Sequence, residues 1–221
     1  NETIPLNHQL SKLDSLYQYH LQHKDWLFGH IAYDYKNELE PRLSTNHSSK
    51  HQYDNVSFFR PAVVCFINKE QTVLTIESLL LSLEEVYQSI ITATICLPFP
   101  LPSVSFQPTI AEQDYIHLVE QLRKHIEEGD CYEINFCGAC FSFVQNLDTL
   151  SAFNKLNTLS PAPFAAYYRL HQQYMMCASP ERYLKKTNKE IIAQPIKGTA
   201  RRSRNVAEDN LLKNNLRNSI K

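Results

Sequence analysis

The chain has little glycine: four residues in 221, at Gly29, Gly129, Gly138 and Gly198. No two of them stand a few residues apart. The GxGxxG and GxxxxGK[ST] signatures need such a pair, because closely spaced glycines let backbone wrap a phosphate. Rossmann and P-loop nucleotide cradles are therefore excluded. Charge of either sign is not in excess, with 22 basic against 23 acidic residues and a net charge of −1. That balance gives no attraction for nucleic acid or an anionic membrane, and neither is expected as a partner. No apolar run approaches the roughly 18 residues that span a bilayer. The opening "NETIPLNHQL" lacks a basic n-region and an apolar h-region, so it does not read as a signal peptide. It also lacks an initiator Met, so residues are expected ahead of Asn1. A compact cysteine framework is missing too. Six cysteines are spread from Cys65 to Cys177, which fits reduced thiols and a cytoplasmic location. Cys137-Gly-Ala-Cys140 is formally CxxC. No second CxxC or HxxxH stands at zinc-finger spacing, and no βαβ pattern surrounds it, so two packing thiols are the better reading.

The patterns that are present alternate strands with a few helices. "DWLFGHIAYDY" (25–35) is aromatic-rich and reads as a strand, and 37–55 reads as a polar loop. "SFFRPAVVCFI" and "QTVLTIE" read as two strands about a turn at Asn68-Lys69. Ser82 and Glu85 have capping-box spacing before a helix. Pro98, Pro100, Pro102 and Pro108 mark an extended connector. This divides the chain into an N-terminal region (1–97), a connector (98–108) and a second region (109–221). Thr109 and Glu112 repeat the capping-box spacing, an apolar stripe runs from Tyr115 to Ile126, and Gly129 stands where a C-cap belongs. "DCYEINFCGACFSF" reads as a strand with a bulge near Gly138-Ala139. Its Glu133 and Asn135 face either water or a pocket. Four short strands follow as an antiparallel meander, turning near His171-Gln172 and Asn188-Lys189. Asn205 and Glu208 cap a final amphipathic helix carrying Leu212, Leu216 and Ile220, which runs to the last residue with no C-cap. The chain is expected to stop in mid-element.

The last hairpin permits a geometric expectation. With its turn at Asn188-Lys189, facing residues sum to about 377 or 378. Glu181 then opposes Ile196 or Lys197, with Cβ atoms about 5 Å apart. Two readings fit that placement. One is an exposed cross-strand ion pair contributing well under about 1 kcal/mol. The other is a site: a desolvated lysine amine as nucleophile, a carboxyl as general acid for a departing hydroxyl, and the Gly198 and Thr199 amides receiving an anionic oxygen.

At this point the residues resemble a known family. "EEGDCYEINF" (127–136), "ASPERYL" (178–184) and "PIKGT" (195–199) look like three consecutive motifs of the chorismate-utilising enzymes. "FGHIAYDYKNELE" (28–40) and "FFRP" (58–61) resemble the N-terminal part of their aminodeoxychorismate synthase component I branch. The resemblance implies an α+β fold, a two-layer antiparallel β-sandwich with surrounding helices, of which this chain would carry only part and leave strand edges unpaired. It implies amination of chorismate at C4 in para-aminobenzoate and folate synthesis. Lys197, alanine in the anthranilate- and isochorismate-forming relatives, would attack C2 as the C4 hydroxyl leaves, and ammonia would then expel it. Two allylic displacements retain the position and stereochemistry of substitution. Glu181 would be the general acid–base, with Gly198, Thr199, Glu133 and Arg202 binding substrate. Glu133 stands where relatives carry Gln or Lys, and "Ala200-Arg201-Arg202" replaces Arg-Pro-Arg. The resemblance also implies Mg²⁺, with ligands beyond these residues, and a glutamine amidotransferase partner supplying ammonia. An anthranilate-forming enzyme and a non-catalytic binding piece are the alternatives.

Overall fold

The computed structural model describes residues 4–5, 11–40, 42, 53–94, 99–196 and 198–219. The chain divides into two compact units, Asn1–Cys96 and Leu97–Lys221. The architecture is α+β, and every strand pair is antiparallel.

The first unit opens with α1 (Lys12–His23), a helix not among the elements expected from the sequence. Its start was legible: Ser11 accepts from the Asp14 N–H at 3.1 Å, a local N-cap. β1 (Phe28–Ile31) is shorter than expected, because Tyr33–Tyr35 coil into a 3₁₀ turn and Lys36–Leu39 into a short helix, α2. That coil carries Tyr35 into the interior, where it is 4% exposed. β2 (Val56–Phe59) pairs with β1 in the register Gly29↔Phe58. A Cβ on Gly29 would lie 2.1 Å from the Ser57 carbonyl oxygen, so only glycine lets these backbones meet. Ile4, Leu16, Tyr35 and Val56 form the buried cluster, with Tyr19, Leu27 and Phe58 against it.

Pro61 splits the expected single strand over 57–67. β3 (Val63–Ile67) and β4 (Leu74–Ser78) form a separate hairpin. The Asn68 carboxamide oxygen accepts from the Thr72 and Val73 N–H groups at 2.8 and 2.9 Å and closes its loop. Helix α3 (Leu83–Ile91) begins with both halves of the Ser82–Glu85 capping box.

In the second unit, Phe99 to Phe106 take no helix or strand conformation. β5 (Gln107–Pro108) precedes α4 (Glu112–Glu127). The Thr109–Glu112 capping box is not made. Thr109 instead donates its N–H and hydroxyl to the Ala139 carbonyl, at 2.7 and 3.0 Å, and the N-cap falls two residues later, at Ala111. Gly129, φ 84°, ends α4 in a Schellman motif: the Asp130 N–H reaches the His125 carbonyl at 3.0 Å.

The strand expected over 130–143 is reduced to β6 (Cys140–Phe141), paired with β5. A strand needs a neighbour for its N–H and C=O groups, and residues 131–139 join no ladder among the described residues. Helix α5 (Thr149–Leu159) was also unforeseen, although Asp148 caps it by accepting from the Leu150 and Ser151 N–H groups. β7 (Phe164–Leu170) and β8 (Gln173–Ser179) form one hairpin, turning at His171, φ 53°. β9 (Lys185–Thr187) and β10 (Glu190–Ile192) form another, turning at Asn188, φ 54°. The meander is thus two hairpins, broken at Pro180. Helix α6 (Val206–Arg217) is capped by Asn205 as anticipated and is followed by Asn218 in the C-cap position, while Ile220 lies outside the described residues. Each of the five sheets has two strands, so each strand keeps one open edge among the described residues.

Candidate functional site

The β9–β10 register fixes the geometry of the motif residues. Its pairs are Glu190↔Thr187, Ile191↔Lys186 and Ile192↔Lys185, each summing to 377. Continued outward, that register sets Glu181 opposite Ile196. The ladder itself stops at Ile192, but the Ile196 N–H donates to Glu181 Oε2 at 3.3 Å. Glu181 is held from its own side as well, since its N–H donates to Ser179 Oγ at 3.3 Å and its carbonyl accepts from that hydroxyl at 3.1 Å. Next to it, the Arg182 guanidinium lies 4.7 Å from the Phe164 ring centre, tying the segment back to β7. Lys197 lies outside the described residues.

Gly198 and Thr199 are exposed, and Gly198 does not use the left-handed region that φ > 0 would mark. Its close neighbour is Leu216 of α6: a Cβ at Gly198 would lie 3.2 Å from Leu216 Cδ1. Arg202 faces the other end of the same helix. Its Nε donates to both oxygens of Asp209, at 2.9 and 3.2 Å, and Nη2 donates to Oδ2 at 2.8 Å. The Arg202 guanidinium, with the Ser203 N–H behind it, holds the Asp209 carboxyl down at about 2. Asp209 was not singled out in the sequence, and Glu208 only as the capping-box partner of Asn205. The signal was available as two arginines seven residues ahead of two acids, across an Asn cap.

Glu133 sits apart from this group in sequence, exposed within 131–139. The structure therefore joins Glu181 to Ile196, and sets Gly198 and Arg202 against α6. All five described candidates, Glu133, Glu181, Gly198, Thr199 and Arg202, are exposed. A carboxylate in this position can take or give a proton at an oxygen brought to it. An exposed amine would stay protonated at neutral pH, so nucleophilic use of a lysine here requires additional cover.

Among the described residues, one grouping has metal-ligand geometry: His125, Glu128 and Asp130, all exposed. The His125 Nδ1 is already 2.7 Å from Asp130 Oδ2. Mg²⁺ prefers an oxygen octahedron, and this mixed set at the end of α4 includes none of the candidate site residues. The described residues do not fit a Mg²⁺ centre. No helix among them is long and apolar enough to cross a membrane.

Comparison with known proteins gives concordant findings. The family model described as chorismate binding enzyme matches residues 3–221. Aminodeoxychorismate synthase component 1 of Klebsiella aerogenes is 32% identical over 130 residues, which is 59% of this chain and 28% of that protein. The Escherichia coli protein of the same name is 34% identical over 116 residues, 52% of this chain and 25% of that one. An anthranilate synthase component I-like protein of Synechocystis is 24% identical over 215 residues, 96% of this chain and 44% of that one. The crystal structure of anthranilate synthase component I from Streptococcus pneumoniae superposes with a TM-score of 0.70 at 17% identity, covering 86% of this chain and 50% of that one. That likeness establishes the fold. The chain spans about a quarter of the length of the aminodeoxychorismate synthase component 1 relatives it matches. With its motifs in order, its fold matched and almost every residue within the family model, this chain belongs to the chorismate binding enzymes.

Proposed function

We propose that this chain carries part of the site at which an aminodeoxychorismate synthase component I aminates chorismate at C4. The observation that carries the reading is the reach of the Glu181 carboxylate to the Ile196 N–H, 3.3 Å, directly ahead of Lys197. In this reading the Lys197 amine, deprotonated under cover, forms a bond to C2. The two conjugated ring double bonds shift together, the C4–O bond breaks, and Glu181 delivers the proton that lets the hydroxyl leave as water. Ammonia then bonds to C4, the two double bonds return to their places, and the C2–N bond to Lys197 breaks. Lys197 ends as it began. Gly198 and Thr199 offer backbone N–H groups to the substrate, Arg202 its cationic donors, and Glu133 a polar wall. Ammonia comes from a glutamine amidotransferase partner, and Mg²⁺ is held by residues outside those described here.

An anthranilate-forming reaction is the second reading, favoured by the coverage of the Synechocystis relative. Lys197 argues against it. Product identification with chorismate, ammonia and Mg²⁺, using the full-length protein, separates the two. Lys197→Ala is expected to abolish formation of 4-amino-4-deoxychorismate. Undiminished amination by that variant rejects the covalent role.

A further inference from the structure

Residues 198–205 fold back along α6, and the contacts lie at both ends. Gly198 backs onto Leu216. At the start of the helix, Asp209 accepts the forked Arg202 guanidinium and also the Ser203 N–H, the latter at 3.0 Å. One residue earlier, Glu208 accepts from Arg201 Nη2 at 2.6 Å and from the Ser203 hydroxyl at its other oxygen. Asn205 fixes the acids in place by capping the Ala207 and Glu208 N–H groups. Exposed ion pairs contribute little when each side chain loses its freedom for a single contact, but a forked arginine–carboxylate pair is the exception. The exposure is lopsided: the Asp209 side chain is 21% exposed and that of Arg202 87%. A guanidinium has five N–H donors, so those not taken by Asp209 stay open to water or to an anion. Arg201, Arg202 and Lys213 line one cavity of about 410 Å³ with Ala200, Asp209 and Leu216. Its lining carries more positive than negative charge.

We propose that Asp209 is a positioning residue, holding Arg202 and the Gly198–Thr199 backbone in place for a dicarboxylate substrate. The substrate part rests on the function proposed above; the clamp itself does not. The depressed Asp209 carboxyl keeps the clamp charged through the neutral range. Its contribution is present above the ordinary 3.8 and is lost as pH falls through about 2.

The test uses Asp209→Asn and Asp209→Glu in the full-length protein. Loss of one charge-assisted contact is expected to raise the KM for chorismate about tenfold in Asp209→Asn. The change in kcat should stay within about threefold, and Asp209→Glu should recover most of the loss. Hydrogen exchange at the Ser203 amide, which donates to Asp209, should quicken about tenfold in Asp209→Asn, with Leu211–Arg217 still protected. Unchanged exchange overturns the proposal. So does loss of protection throughout α6, which would make Asp209 a helix-stabilising residue only, or faster exchange with an unchanged KM. If the unaltered protein proves inert toward chorismate, the functional reading fails, and the exchange experiment still decides the clamp.

Discussion

The two units of this chain are held together by different means. In the first, Ile4, Leu16, Tyr35, Val56, Val64 and Val86 are buried. Its polar links also join distant parts of the sequence: Lys12 to Glu38, Arg60 to Asp25, and the Trp26 indole N–H to Glu77. In the second, Ser151 is the one buried side chain named among the described residues, and Tyr132, Phe143 and Tyr183 are more than nine-tenths exposed. Order there comes mostly from local devices, namely two tight hairpins, a Schellman end, Asx caps and ion pairs seven residues apart, with the β5–β6 pairing and the Phe99–Ser151 bond as its longer links. The candidate site lies in the unit that has no buried apolar side chain among its described residues. Local devices set a backbone path, but they do not exclude water. The amination proposed for Lys197 needs a desolvated amine, and therefore needs cover that the described residues around Glu181 do not supply.

Substitutions can break this comparison. Tyr35 is 4% exposed, and its ring lies under the Lys12 ammonium at 5.8 Å. Tyr35→Ala should destabilise the first unit by about 4 kcal/mol through the cavity and the lost burial. Trp26 is the only tryptophan and belongs to that unit, so its fluorescence in urea reports this transition alone. A loss below about 1 kcal/mol would mean the cluster is not what holds the unit together. In the second unit the corresponding element is a cap. Asp148 accepts from two backbone N–H groups of α5 and from the Ser151 hydroxyl at 2.7 Å. The Ser151 hydroxyl also receives the Phe99 N–H at 3.0 Å. Asp148→Ala should cost about 1 kcal/mol, read from hydrogen exchange along Thr149–Leu159. A much larger loss would reveal a cooperative core there and erase the contrast.

The sequence revealed what is local and missed what is not. The turns at Asn188 and His171, the Ser82 capping box, the Gly129 end and the Asn205 cap each depend on residues within a few positions, and each was legible. Glu181 reached Ile196 because a hairpin register is also local. The strand over 130–143 failed because its pairing depends on a neighbour, and alternation alone does not supply one. Thr109 failed as a cap because its hydroxyl is turned to the distant Ala139, accepting from that N–H and donating to that carbonyl, and its oxygen is not offered to the helix. Helix α1 has little amphipathic contrast, and α5 is a polar-rich run in which only the caps announced an element. Asp209 was overlooked because its partner precedes it by two helical turns across a cap, a spacing no helix or strand period highlights.

Gly29 and Gly198 offer the finest version of the comparison. At Gly29 a Cβ meets backbone, 2.1 Å from the Ser57 oxygen, and backbone in a ladder cannot step aside. At Gly198 it meets Leu216 Cδ1 at 3.2 Å, the end of a side chain 39% exposed and able to rotate away. Nor does Gly198 occupy the left-handed region that would strain any other residue. Gly198→Ala should therefore change stability by less than about 0.5 kcal/mol, measured by chemical denaturation. The fold gives little reason for a glycine there, so the reason must lie in what approaches the backbone. If chorismate comes as close as proposed, the added methyl occupies its space, and kcat/KM for amination should fall about a hundredfold in a protein that is otherwise intact. If stability and activity fall together, Gly198 is a packing glycine like Gly29. If neither falls, the segment after Lys197 does not lie against the substrate, and the Gly198 and Thr199 amides lose their proposed role.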